Sequence, residues 1–195
     1  MPIYSSHQQL CTQYLDSLYE GLHYQYKKTK LAEQPGEILY PSVSKLLNLA
    51  NLSTHDVFAD LGSGLGKAVL QAFLLSPVKE ALGIEIVPAL HHQAVLVAQR
   101  VKNELPDFFV NQRKLTLLQG DFLRLSLAQV TVALICSTCF DQPLLQDLGL
   151  IINDTPSIRT VFTLRPIVTL QRLVFKRAVR VECSWDSALC YIYER

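Results

Sequence analysis

The run Val57-Phe58-Ala59-Asp60-Leu61-Gly62-Ser63-Gly64-Leu65-Gly66-Lys67 limits the fold more than any other feature. An apolar stretch enters three glycines and leaves as the helix-like segment Lys67–Leu75. Glycines at such a turn admit positive φ and let a ligand approach the backbone. The helix that follows presents free N–H groups to an anion. The same alternation continues along the chain. Asp56–Leu61, Ala81–Ile86, Leu115–Gln119, Val132–Cys136 and Arg159–Leu164 read as apolar strands, and Lys67–Leu75, Pro88–Leu105 and Leu144–Ile151 as helices. Apolar strands alternating with helices predict a parallel sheet covered on both faces. Leu173–Ser184 and Ala188–Tyr193 break the rhythm, because only Trp185-Asp186-Ser187 joins them; they predict an antiparallel hairpin.

The spacing within the glycine turn selects the ligand. A dinucleotide fingerprint needs its third glycine at position 67, which is Lys67. Asp60, two residues before the first glycine, would repel a pyrophosphate and attract an amine or a sulfonium. S-adenosylmethionine carries both, and its carboxylate suits the backbone amides of Gly62, Ser63, Gly64 and Gly66. Glu85 closes the second strand, where a carboxylate can accept both ribose hydroxyls. Asp121 follows the third strand and can take the adenine amino group, with Phe122 covering the ring. Singly, each acid also reads as a helix cap or a turn residue. Together they stand at the carboxyl ends of three successive strands, where open α/β sheets bind ligands.

Composition narrows the partners. Hydrophobic residues make up 49% of the 195 and charged residues 18%, so the chain can bury a core and is not disordered. Eighteen Lys and Arg face seventeen Asp and Glu. That balance argues against a dedicated nucleic-acid binder. No run of 18 apolar residues suggests a membrane span, and the N-terminus does not read as a secretory signal. Five cysteines, an odd number mostly set in apolar runs, suggest buried thiols and a cytoplasmic location. Cys136-Ser-Thr-Cys139 reads as core packing or as a redox or zinc pair; it has no second ligand pair. His91 and His92 point about 100° apart on a helix and chelate one ion poorly, so no metal is expected. Leu10, Tyr14, Leu18 and Leu22 recur every four residues and predict an amphipathic helix over 7–26. Lys27-Lys28-Thr29-Lys30 reads as solvated loop. Gln34-Pro35-Gly36-Glu37 marks a linker, so residues 1–36 form an N-terminal helical segment ahead of a domain spanning 37–195. A short helix over 42–50, capped by Ser42, opens that domain.

From Glu37 onward the chain resembles the histone-lysine methyltransferases first named as disruptors of telomeric silencing. The pieces that carry the resemblance are Gly36-Glu37, Asp56 through Gln71, Gly83-Ile84-Glu85, Gly120-Asp121-Phe122, Ser184-Trp185 and the Tyr191-containing last strand. The resemblance implies an α/β class I fold: a Rossmann-like, seven-stranded, mostly parallel sheet with an antiparallel C-terminal hairpin and helices on both faces. It implies S-adenosylmethionine as cofactor, held by Glu37, Asp60, Gly62, Lys67, Glu85, Asp121 and Phe122, with Glu37 reaching over the methionyl end. Lys67 replaces a neutral amide of the family and either meets the methionyl carboxylate or points to solvent. The acceptor side departs further. Where the family has an Asn-Asn-Phe-type sequence, this chain has Cys136, Ser137, Thr138, Cys139 and Phe140. Cys136, Ser137, Thr138 and Phe140 are the candidates to line an acceptor channel, with Tyr26 and Trp185 beside them. Ser137 and Thr138 either orient the acceptor or cap the next helix; Phe140 and Trp185 are either channel walls or core. This stretch carries no long basic tail of the kind the family uses on nucleosomal DNA, so strong nucleic-acid binding is not expected. The implied activity is methyl transfer to a protein lysine. The alternatives are a small-molecule or other acceptor, or a cofactor-binding interaction module without transferase activity.

Overall fold

The computed structural model describes residues 6–20 and 36–195. Two helices lead: α1 (Ser6–Tyr19) and α2 (Tyr40–Ala50). Then β1 (Val57–Leu61), α3 (Lys67–Leu75), β2 (Glu80–Glu85), α4 (Pro88–Glu104) and β3 (Lys114–Gln119) alternate. The chain continues through β4 (Val132–Ile135), α5 (Gln142–Asn153) and β5 (Thr160–Thr163), and ends in β6 (Val174–Glu182) and β7 (Ser187–Glu194). The seven strands form one sheet in the order β3-β2-β1-β4-β5-β7-β6. Strands β1 to β5 run parallel, and β7 lies antiparallel between β5 and β6. This is the expected α/β class.

Each strand feeds two cores by the two-residue alternation of its side chains. In β1, Phe58 enters the layer shared with α1 to α4, while Val57, Ala59 and Leu61 enter the layer shared with α5. Asp60 follows Phe58 by two residues and shares its face, at the carboxyl end of the strand. The strand order reverses between β1 and β4, which opens a crevice at that end.

The N-terminal helices differ in detail from the pattern. Leu10 is 65% exposed, whereas Leu18 is buried as expected and Leu15, off the four-residue pattern, joins it in the first core. The face that docks is set by the tertiary partner rather than by strict four-residue spacing. Leu22 lies outside the described residues. Ser42 does not cap α2; Leu39 holds the cap position, Pro41 sits in the first turn, and Ser42 Oγ accepts the Glu182 N–H at 2.8 Å. Among the described residues, no helix is long and apolar enough to cross a membrane.

Candidate active site

The turn after β1 places Gly62, Gly64 and Gly66 at φ of 92°, 54° and 78°. An L side chain is strained there, so the three glycines are what lets the chain turn sharply into α3. The Ile84 carbonyl in β2 accepts the Gly62 and Ser63 N–H groups at 2.9 and 3.0 Å. From the end of β2, Glu85 reaches back. Its Oε2 accepts the Gly64 N–H and its Oε1 the Val87 N–H, both at 2.7 Å. The residue assigned to the ribose is therefore also the fastener of the glycine turn.

A cavity of about 300 Å³ opens above this turn. Glu37, Asp60, Gly62, Ser63, Gly64, Lys67, Glu85, Asp121 and Phe122 all line it. Gly66 does not; it is the N-cap of α3, where a Cβ would stand 3.3 Å from that of Ala94. Asp60 is 6% exposed, and its Oδ1 has no hydrogen-bond partner among the described residues. Burial, and secondarily the nearby Glu85 carboxylate, pushes the Asp60 carboxyl up to about 7. An uncompensated buried acceptor of this kind is costly and fits an ammonium donor. Asp121 lines the cavity, and its Oδ1 accepts the Leu123 N–H at 2.9 Å; this closes a turn and caps no helix, since none starts at Phe122. The Phe122 and Phe140 rings lie 5.6 Å apart on the cavity wall.

Residues 19–183 match the family model of histone methylation protein DOT1. The chain belongs to the DOT1 family. These are class I methyltransferases that depend on S-adenosylmethionine. The H3 lysine-79 specific histone-lysine N-methyltransferase of Caenorhabditis elegans is 30% identical over 126 residues, covering 62% of this chain and 13% of that protein. Its namesake in Gibberella zeae is 32% identical over 143 residues, covering 68% of this chain and 28% of that protein. The chain thus spans well under a third of either relative. A solved RNA methyltransferase of Salinibacter ruber, in complex with S-adenosyl-L-homocysteine, shares the fold. It has a TM-score of 0.55 and 23% identity, over 79% of this chain and 90% of that one.

Against the DOT1 pattern, the acceptor side divides. Cys136 and Phe140 line the cavity, together with Cys139 and Leu144. Ser137 and Thr138 do not line it. Ser137 is fully buried; its Oγ lies 2.9 Å from Thr163 Oγ1 and accepts the Arg165 N–H at 2.9 Å. It pins the turn after β4 to the end of β5. Thr138 is exposed. Neither caps α5, whose N-cap is Asp141, accepting the Leu144 N–H at 2.9 Å. The Cys136 thiol donates to the Gly36 carbonyl at 3.2 Å, and burial pushes its pKa well above the usual thiol range. Trp185 stands over Gly36, so close that a Cβ there would collide with the indole. Tyr26 and the 27–30 lysine run lie outside the described residues.

Lys67 lines the cavity, with its ammonium turned to an acid of the chain itself. Its Nζ pairs with Glu37 Oε2 at 2.7 Å and lies 5.1 Å from the centroid of the Tyr19 ring. Nothing in the sequence linked Tyr19 to the glycine turn, since helix periodicity reports which face is apolar and not what it meets. Leu144 was hidden for a related reason: it reads as helix core, but it stands in the first turn of α5, at the cavity's edge.

Proposed function

We propose that this chain binds S-adenosylmethionine in the cavity and transfers its methyl group to a lysine amine of a protein. The observation that carries the reading is Asp60, a buried carboxylate with a free acceptor atom at the reversal of strand order. Glu37 and Asp60 would hold the amino-acid end of the cofactor, Glu85 the ribose hydroxyls, and Asp121 with Phe122 the adenine. Gly62, Ser63, Gly64 and Gly66 shape the turn beneath it. The catalytic unit in this reading is residues 37–195, with 1–36 as an N-terminal extension. The five cysteines, none of them bridged, suit a reducing compartment.

The bound cofactor supplies an electrophilic methyl on a sulfonium. The protein's part is alignment and exclusion of water. Phe140, Leu144 and Cys136 give the acceptor side an apolar wall. Burial against such a wall lowers the pKa of a lysine amine, so the nucleophile loses its proton without a dedicated base. The Cys136 thiol stays protonated and serves as a small neutral wall. Transfer to an acceptor other than a protein lysine is the second reading. It is favoured by Cys136 standing where the family carries an asparagine.

Calorimetric titration with S-adenosylhomocysteine tests the donor site, and transfer of a labelled methyl to nucleosomes and to a fractionated native lysate tests the acceptor. Saturable binding with label on protein lysine is the expected result. Label confined to small molecules favours the second reading, and absence of binding refutes both.

A further inference from the structure

Helix α1 precedes the residues matched to the DOT1 family, save for its last residue, Tyr19. Yet Tyr19 reaches the glycine turn. Its hydroxyl donates to the Leu65 carbonyl at 2.9 Å, and its ring lies under the Lys67 ammonium. Leu65 sits between Gly64 and Gly66, the two residues whose positive φ makes this turn easiest to deform. Glu85 holds the turn from the sheet side, through Gly64. Tyr19 holds it from α1, through Leu65. The same ring steadies the cation that ties Glu37 to the start of α3, and Glu37 and Lys67 both line the cavity. The helix itself is anchored independently. Leu15 and Leu18 are buried, Tyr14 Oη donates to Glu104 Oε2 at 2.9 Å, and Arg100 Nη1 donates to the Ser17 carbonyl at 3.3 Å.

We propose that Tyr19 is a positioning residue for the amino-acid end of the methyl donor, acting through the Leu65 carbonyl and the Lys67–Glu37 pair. The proposal rests on the cavity being the S-adenosylmethionine site. In it, α1 is a brace that bears on the donor site through its last residue. The brace contacts the turn at Leu65 and the Glu37–Lys67 corner, while Glu85 and Asp121 are held by backbone N–H groups of their own, those of Val87 and Leu123. Ligands that lack the amino and carboxylate groups therefore do not depend on it.

The test compares S-adenosylhomocysteine with 5′-methylthioadenosine, which keeps the nucleoside and thioether but lacks the amino-acid end. Calorimetry on the full chain measures both with wild type, Tyr19→Phe and Tyr19→Leu. Tyr19→Phe removes the bond to Leu65 and keeps the ring, so S-adenosylhomocysteine affinity falls about threefold. Tyr19→Leu removes both interactions, and the loss grows to about tenfold. Affinity for 5′-methylthioadenosine stays within about twofold of wild type in both variants. Equal losses for the two ligands, or no loss for S-adenosylhomocysteine, overturn the proposal. Wild type that binds neither ligand refutes the donor site itself, a result separate from any behaviour of the variants.

Discussion

Asp56 and Asp60 stand four residues apart, at the two ends of β1, and meet opposite environments. Asp56 is surrounded by donors. Its Oδ2 accepts the Ser53 N–H and Ser53 hydroxyl, each at 2.8 Å. Its Oδ1 accepts the Thr131 hydroxyl at 2.7 Å and Arg159 Nε at 3.1 Å. Burial alone would raise its pKa, but Arg159, Thr131 and Ser53 outweigh it and hold the carboxyl at about 2. Asp60 is as deeply buried, has an orphaned oxygen and a like-charged neighbour, and is pushed up to about 7. Arg159 also donates to the Ala50 carbonyl at 2.9 Å, so the Asp56 network ties α2 to the start of the sheet. One end of the strand uses its acid to hold the fold together. The other carries an acid with one oxygen unpartnered among the described residues, on the wall of the cavity.

The comparison breaks most visibly at Asp56. Asp56→Ala leaves four donors without their acceptor, and Arg159 without its counter-charge. Its expected cost is about 3 kcal/mol of stability, because buried Asp56 gives up four hydrogen bonds at once, while Arg159, 37% exposed, turns to solvent. In a chain of this size that lowers Tm by about 6–12 °C. Urea denaturation measures the loss, and S-adenosylhomocysteine affinity at 20 °C stays at its wild-type value. A variant as stable as wild type would show that the network carries no load.

Asp60→Asn reverses the pattern. Affinity for S-adenosylhomocysteine falls by about 1–3 kcal/mol, the range for a charge-assisted hydrogen bond, while stability at pH 8 holds or rises. The two acids also separate by pH. The folded pKa of Asp60 lies above its ordinary value, so the native state holds a proton that the unfolded chain releases. Its effect on the free protein is a loss of stability as pH rises from about 4 to 7. A ligand ammonium needs the ionised form, so affinity climbs over the upper part of that window and levels off above pH 7. Asp56 has the opposite sign. Its contribution is present above pH 4 and is lost as pH falls towards 2. Calorimetry and denaturation across pH 3–8 read both limbs. An affinity that does not change between pH 5 and 7 would remove Asp60 from the ammonium site.

Much of this contrast could be read from the chain in advance, and the unread part has a physical cause. The glycine turn, Asp60, Glu85 and Asp121 were legible because they depend on local geometry: a strand end, a positive φ, a helix start. Strand number and direction followed from alternation, and the sheet has the expected class. Ser137 and Lys67 were not legible, because their roles depend on partners 26 to 30 residues away or farther. Polar residues after a strand look alike whether they face a cavity or the interior. Tyr19 was still further out of reach, since its bond to Leu65 spans 46 residues and its helix gives only an apolar face.

Ser137 sharpens the comparison on the acceptor side, where the expected effect is smallest. Its hydroxyl bridges Thr163 Oγ1 and the Arg165 N–H, and Thr163 Oγ1 in turn lies 2.9 Å from the Arg165 carbonyl. Ser137→Ala therefore removes a structural pin of the Asp56 kind, on the acceptor side of the cavity. The expected cost is about 1–2 kcal/mol, because the Arg165 N–H loses its shorter acceptor and keeps only Thr163 Oγ1 at 3.5 Å. Methyl transfer at a temperature where the variant is fully folded proceeds at the wild-type rate, with the same labelled products. Cys136→Asn is the control, since Cys136 lines the cavity and its exchange alters the wall that the acceptor meets. If Ser137→Ala changes the products while Cys136→Asn does not, the assignment of fold-holding and substrate-facing residues after β4 is inverted.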